Sequence, residues 1–108
     1  MNDTIQQLAR FIRDNPSDFF SRFALALEMV KLGDDEKARA LFESILKVQP
    51  EYSGLAYHLG KLYQRMGYVE SAEKLFSDGV HVATQKGDHH TKHELLQALD
   101  DLHALTSD

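Results

Sequence analysis

The chain repeats itself at a spacing of 34 residues, and this restricts its fold more than any other feature. Pro16 recurs as Pro50, Leu25 as Leu59, Gly33 as Gly67 and Glu36 as Glu70. Ala38, Leu41 and Phe42 recur as Ala72, Leu75 and Phe76. Similar pairs fill the gaps: Phe23 and Tyr57, Ala26 and Gly60, Lys31 and Arg65, Leu32 and Met66, Val48 and Val82. A period in this range belongs to stacked units, each too small to bury its own apolar face. The unit is residues 19–52, then 53–86, between a head (1–18) and a tail (87–108).

Each unit reads as two helices. Phe23, Leu25, Leu27, Met29, Val30 and Leu32 lie in a segment of good helix formers. Gly33 suits the left-handed residue that ends a helix, and the Asp beside it suits the cap of the next. Ala38, Leu41, Phe42, Ile45 and Leu46 then form the stripe of an amphipathic helix, which Pro50 stops. The second unit repeats the plan with Leu55, Leu59, Leu62, Tyr63 and Met66, then Gly67, then Ala72, Leu75, Phe76, Gly79, Val80 and Ala83. No segment alternates as a strand does. Gly60 falls inside a helix, where Gly costs about 1 kcal/mol against Ala. Such a position is accepted where another backbone packs close.

The head matches the second helix of a degraded preceding unit, with Leu8, Phe11 and Ile12 on the places of Phe42, Ile45 and Leu46. Thr4 and Gln7 are spaced as a capping box, as are Thr91 and Glu94 in the tail. Beyond Thr91, the residues Leu95, Leu96, Leu99, Leu102 and Leu105 make one stripe opposite a polar face, which suits a helix closing a core. Six helices are therefore expected, in an all-α chain.

The second unit contains Leu59-Gly60-x2-Tyr63 followed by Ala72-x3-Phe76; the first contains Leu25-Ala26-x2-Met29, Ala38-x3-Phe42 and Pro50. At a 34-residue period this resembles the tetratricopeptide repeat (TPR) family. Arg22 and Ala56 stand at the family's Trp position, and Thr84 stands where the second Pro would be. The resemblance implies a right-handed superhelix of antiparallel helix pairs. Small residues (Ala26, Gly60, Ala38, Ala72) would let the helices of a pair approach, and Phe42 and Phe76 would fill the gap to the next unit.

The resemblance also implies that the first helices line a concave groove for a peptide or helix of a partner. Those positions are Phe20, Phe23, Ala24, Leu27, Val30 and Lys31, then Gly54, Tyr57, His58, Lys61, Gln64 and Arg65. The set holds three cations and no acid, in a chain of net charge −5. It suits a segment with an apolar anchor near Phe20, Phe23 and Leu27 and an acidic group near Lys61 and Arg65. Phe23, Leu27 and His58 occupy places where chaperone-binding members carry the Lys and Asn of a carboxylate clamp, so that ligand is not expected.

Other classes find little support. The acidic balance disfavours nucleic acid and anionic membranes. No apolar run is long enough to span a bilayer, and the first residues do not read as a secretory signal. With no Cys there is neither a disulfide framework nor a thiol nucleophile. No phosphate loop, nucleophile elbow or His-Glu-x-x-His is present, so an enzyme and a cofactor are not expected. Asp34, Asp35 and Glu36 read as acids complementing a helix start. The cluster His89, His90 and His93 is the one metal-like spacing. His89 and His93 are one turn apart, but Thr91 as cap would leave His89 outside the helix. The expectation is a cytoplasmic, non-enzymatic interaction module binding a protein or peptide, as a monomer or homodimer. The alternatives are a self-associating structural protein and a metal-binding accessory using the His cluster.

Overall fold

In a computed structural model, residues 3–107 are described. Among them are six α-helices and no strand: α1 (Asp3–Asp14), α2 (Phe19–Leu32), α3 (Asp35–Leu46), α4 (Leu55–Met66), α5 (Val69–Lys86) and α6 (His89–Thr106). The chain divides into two compact units, Met1–Pro50 and Glu51–Asp108.

The same turn closes α2, α4 and α5. Gly33, Gly67 and Gly87 have φ of 78°, 88° and 69°. The glycine N–H donates to a carbonyl three residues back, and the next N–H donates five back: Asp34 to Met29 at 2.9 Å, Tyr68 to Tyr63 at 2.8 Å, Asp88 to Ala83 at 2.9 Å. This pairing satisfies the last carbonyls of a helix and reverses the chain, and its left-handed residue favours Gly. The Asp34 side chain then accepts from the Lys37 N–H at 3.3 Å, and Asp88 accepts from Thr91 at 3.1 Å.

In the first unit, α2 and α3 pack as a pair around Leu25, Ala26, Met29, Ala38, Phe42 and Ile45. The Phe23 and Phe42 rings meet edge-on, 5.5 Å between centroids. Arg22 ties this pair to the preceding loop. Its guanidinium donates to the Pro16 carbonyl at 2.7 Å and to Ser44 Oγ at 3.2 Å. The head helix α1 packs more sparsely on α2, and none of its residues is buried.

In the second unit, α4 and α5 close on two small residues. A Cβ on Gly60 would lie 2.7 Å from Phe76 Cδ1 and 2.8 Å from Cζ. The close approach is thus to a buried aromatic ring rather than to a backbone. A Cβ on Gly79 would lie 2.8 Å from both the Ala56 Cβ and Leu95 Cδ1. Phe76 also joins Ala72, Leu95, Ala98 and Leu102 in one cluster, so it links α4 and α5 to the tail helix. His103 Nε2 and Glu73 Oε2, 2.6 Å apart, add a contact between α6 and α5.

Three local expectations are corrected. Asp88, not Thr91, caps α6, so His89 lies inside the helix. Thr4 lies within α1, which begins at Asp3, so it is not a cap. Gly54 is the left-handed residue before α4, with φ 85°, and not part of that helix.

Candidate functional site

The exposed side of α2 offers less than the sequence suggests. Phe20 is 70% exposed. Phe23 is half-buried and engaged with Phe42. Ala24, Leu27 and Val30 are half-buried, and Lys31 lies 3.5 Å from Glu28 on the same helix. An apolar surface exists here, but one of its two aromatic rings belongs to the core of its own pair.

In the second unit, α4 and α6 form two clefts that share Lys61. The first, about 280 Å³, is lined by Tyr57, Lys61, His90, His93, Glu94, Gln97, Ala98 and Asp101. It is a mixed surface, because α6 brings Glu94 and Asp101 opposite Lys61. The Gln97 amide donates to Asp101 at 3.1 Å, which orients that carboxylate. The second cleft, about 360 Å³, is lined by Lys61, Gln64, Arg65, Val69, Leu102, Leu105 and Thr106. Among the described residues it contains two cations and an apolar wall, and no acid. Leu105 is 74% exposed. The Gln64 Oε1 atom is buried with no hydrogen-bond partner.

The α4 residues Tyr57, Lys61, Gln64 and Arg65 therefore do line a surface. His58 lines neither cleft. It is half-buried beside Tyr57, with ring centroids 5.3 Å apart at 89°. Burial holds its imidazole below the ordinary value of 6.5, and the Glu94 carboxylate works in the opposite direction. At the start of α6, Asp88 is held below the usual carboxylate range by hydrogen bonds from the Thr91 side chain and backbone.

His89 and His93 are both exposed on α6, and His93 lines the first cleft while His89 does not. Among the described residues no group of three or more His, Cys, Asp or Glu side chains is placed to hold a metal ion. Val69, Glu94, Asp101, Leu102 and Leu105 were not among the groove residues read from the sequence. The polar face of the tail helix was the available signal for Glu94 and Asp101. Nothing local points to Val69 or Leu105.

No family profile and no curated protein sequence matches the chain. Solved structures do. A solution structure of a tetratricopeptide repeat domain protein from Salinibacter ruber superposes with TM-score 0.79 at 36% identity, covering 86% of this chain and 94% of that one. A crystal structure of such a domain from the same organism gives 0.75 at 38% identity, over 82% and 99%. The chain belongs to the tetratricopeptide repeat family. A protein from Bordetella parapertussis shares the fold, with TM-score 0.81 at 24% identity over 94% and 89%. In this TPR protein α2 and α4 are the first helices of successive helix pairs. Their small residues Ala26 and Gly60 are buried, at 0% exposure for Ala26. Among the described residues no helix is long and apolar enough to cross a membrane.

Proposed function

We propose that this TPR protein is a binding module, with residues 19–52 and 53–86 as its repeats, that docks a segment of a protein partner on the face between α4 and α6. The segment carries an apolar group and an acidic group. TPR membership supports protein interaction in general, and the second cleft supports the particular ligand. That cleft places Lys61 and Arg65 next to Val69, Leu102 and Leu105, with no carboxylate among the described residues of its lining. The apolar contact expected from Phe20, Phe23 and Leu27 is thus available beside the cations themselves. Apolar burial supplies affinity there, and charge complementarity selects the partner.

The role is recognition rather than catalysis. The first cleft holds Lys61, Glu94 and Asp101 together, a surface that opposes a uniformly acidic ligand along its whole length. The acid of the partner therefore belongs at the Arg65 end. A pull-down from native lysate with mass spectrometry tests the proposal. Wild-type protein captures a defined set of partners, and Lys61→Glu with Arg65→Glu loses them. Unchanged capture by the double variant would sink the electrostatic reading.

A further inference from the structure

We infer that copies of this chain associate head to tail, with α1 of one copy docking on the open side of α6 of the next. The two single helices together then make one further helix pair. This contact uses a surface outside both clefts and does not depend on the ligand proposed for them.

The buried row of α4 is Leu55, Leu59 and Leu62, and that of α6 is Leu95, Ala98 and Leu102. Leu95 and Ala98 follow Leu59 and Leu62 by 36 residues, so α6 repeats α4 at a slightly longer spacing than 34. Lys92, Leu96 and Leu99 then take the places of Ala56, Gly60 and Tyr63. In α4 this side receives α5: a Cβ on Gly60 would meet the Phe76 ring, and Ala56 stands against Gly79. In α6 it stays open. Leu96 is 42% exposed, and Lys92 and Leu99 are only half-buried.

The head helix shows the converse. At the 34-residue spacing, Leu8 and Phe11 take the places of Phe42 and Ile45, and again of Phe76 and Gly79. Phe76 and Gly79 are the residues that α5 turns toward α4. Phe42 and Ile45 are fully buried, whereas Leu8 is half-buried and Phe11 is exposed. α1 packs on α2, but among the described residues no helix precedes it to act as the first of its own pair.

The two open sides complement each other. Laying α1 on α6 as α5 lies on α4 sets Leu8 against Leu96, where the inner pair has Phe76 against Gly60. It sets Phe11 against Lys92, where the inner pair has Gly79 against Ala56. Two leucines replace a large ring and a bare backbone, so this pair stands wider apart than α4 and α5. The Lys92 stem covers Phe11, and its ammonium meets the Asp14 carboxylate one turn further along α1. Opposite charges thus fix the register at the edge of an apolar contact. A second copy is the occupant that fits, because every copy carries both halves. Such a contact is heterologous, and it extends as an open chain or closes into a ring. The patches are small, so association is weak and concentration-dependent.

Sedimentation velocity and light scattering of the full chain at rising concentration test the inference. The expected mean mass climbs past that of a dimer. Leu96→Glu and Phe11→Glu each place a carboxylate in the contact, and each is expected to stay monomeric with an unchanged helical circular dichroism signal. Mixed, each variant still offers one intact side, so the pair should form a one-to-one heterodimer and nothing larger. Lys92→Glu should weaken association about threefold, and adding Asp14→Lys to the same chain should restore it. A monomer at every concentration overturns the inference. So does a dimer that survives either carboxylate variant, or a mixture of the two that behaves as the sum of its parts.

Discussion

The two units are built on one 34-residue plan, yet each holds its third helix differently. In the second unit the third helix is α6, and Leu95, Ala98 and Leu102 are each 2% exposed or less. In the first unit the third helix is α1, and no residue of it is buried. Ile5, Leu8 and Ile12 are only half-covered, and Phe11 is 47% exposed. A repeat pair needs a neighbour to cover its apolar face. The tail helix fills that place as a part of the core, while the head helix lies against α2 as a partial cover. The clefts of the second unit owe one wall to α6, so the helix that completes the core also completes the candidate site.

The largest test of this contrast is core truncation. Leu95→Ala and Leu102→Ala each remove a fully buried side chain, and each is expected to cost about 2–5 kcal/mol. Leu8→Ala and Ile12→Ala remove half-exposed side chains, and about 1 kcal/mol is expected. Urea denaturation of the full chain measures both pairs. Equal losses would show that α1 is as much a part of its core as α6, and the contrast would fail.

A second test sits at matched positions in the two pairs. Ala26 and Gly60 are one period apart, and both allow a neighbour to come close. Gly60→Ala gains about 1 kcal/mol of helix propensity. The new Cβ overlaps the Phe76 ring, which is fully buried and must shift. Overpacking of this kind costs about 1–3 kcal/mol, so a net loss of stability is expected. Ala26→Gly is also expected to lose about 1 kcal/mol, for the opposite reason of propensity. Adding Phe76→Leu to Gly60→Ala should return part of that variant's loss, because the two changes share one contact. If Gly60→Ala proves more stable than wild type in urea, the ring does not constrain this site.

Much of this architecture is legible in the amino-acid sequence, and the reasons are local. The 34-residue period, the Gly turns and the apolar stripes are each written in a few adjacent residues. Even the correct cap of α6 is present there, because Gly87-Asp88 repeats Gly33-Asp34. Thr91 and Glu94 imitate a capping box three residues too late, and the helix instead starts where the repeat says it should. The candidate site is harder to read. Lys61, Gln64 and Arg65 follow from their places in the first helix of a repeat. Their neighbours Val69, Leu102 and Leu105 come from two other helices, and only packing brings them together. The acids Glu94 and Asp101 change the charge of the first cleft for the same reason.

The smallest expected effect again separates the units, because His58 stands one period after Ala24 and has no titratable counterpart. Burial lowers its pKa from 6.5 in the folded chain, with Glu94 opposing. The unfolded chain therefore takes up the proton first as pH falls. Stability is full above about 6.5, declines as pH drops through the window below it, and levels only once the folded group is also protonated. His58→Gln should remove this component, so its urea midpoint should fall less than the wild-type midpoint between pH 7.5 and 5.5. Glu94→Gln should act the other way. Without the opposing carboxylate the folded imidazole resists protonation more strongly, and the midpoint should fall further. Parallel pH profiles for wild type and His58→Gln would mean that the imidazole is as well solvated in the fold as in the open chain. The half-buried place of His58 beside Tyr57 would then carry no electrostatic consequence.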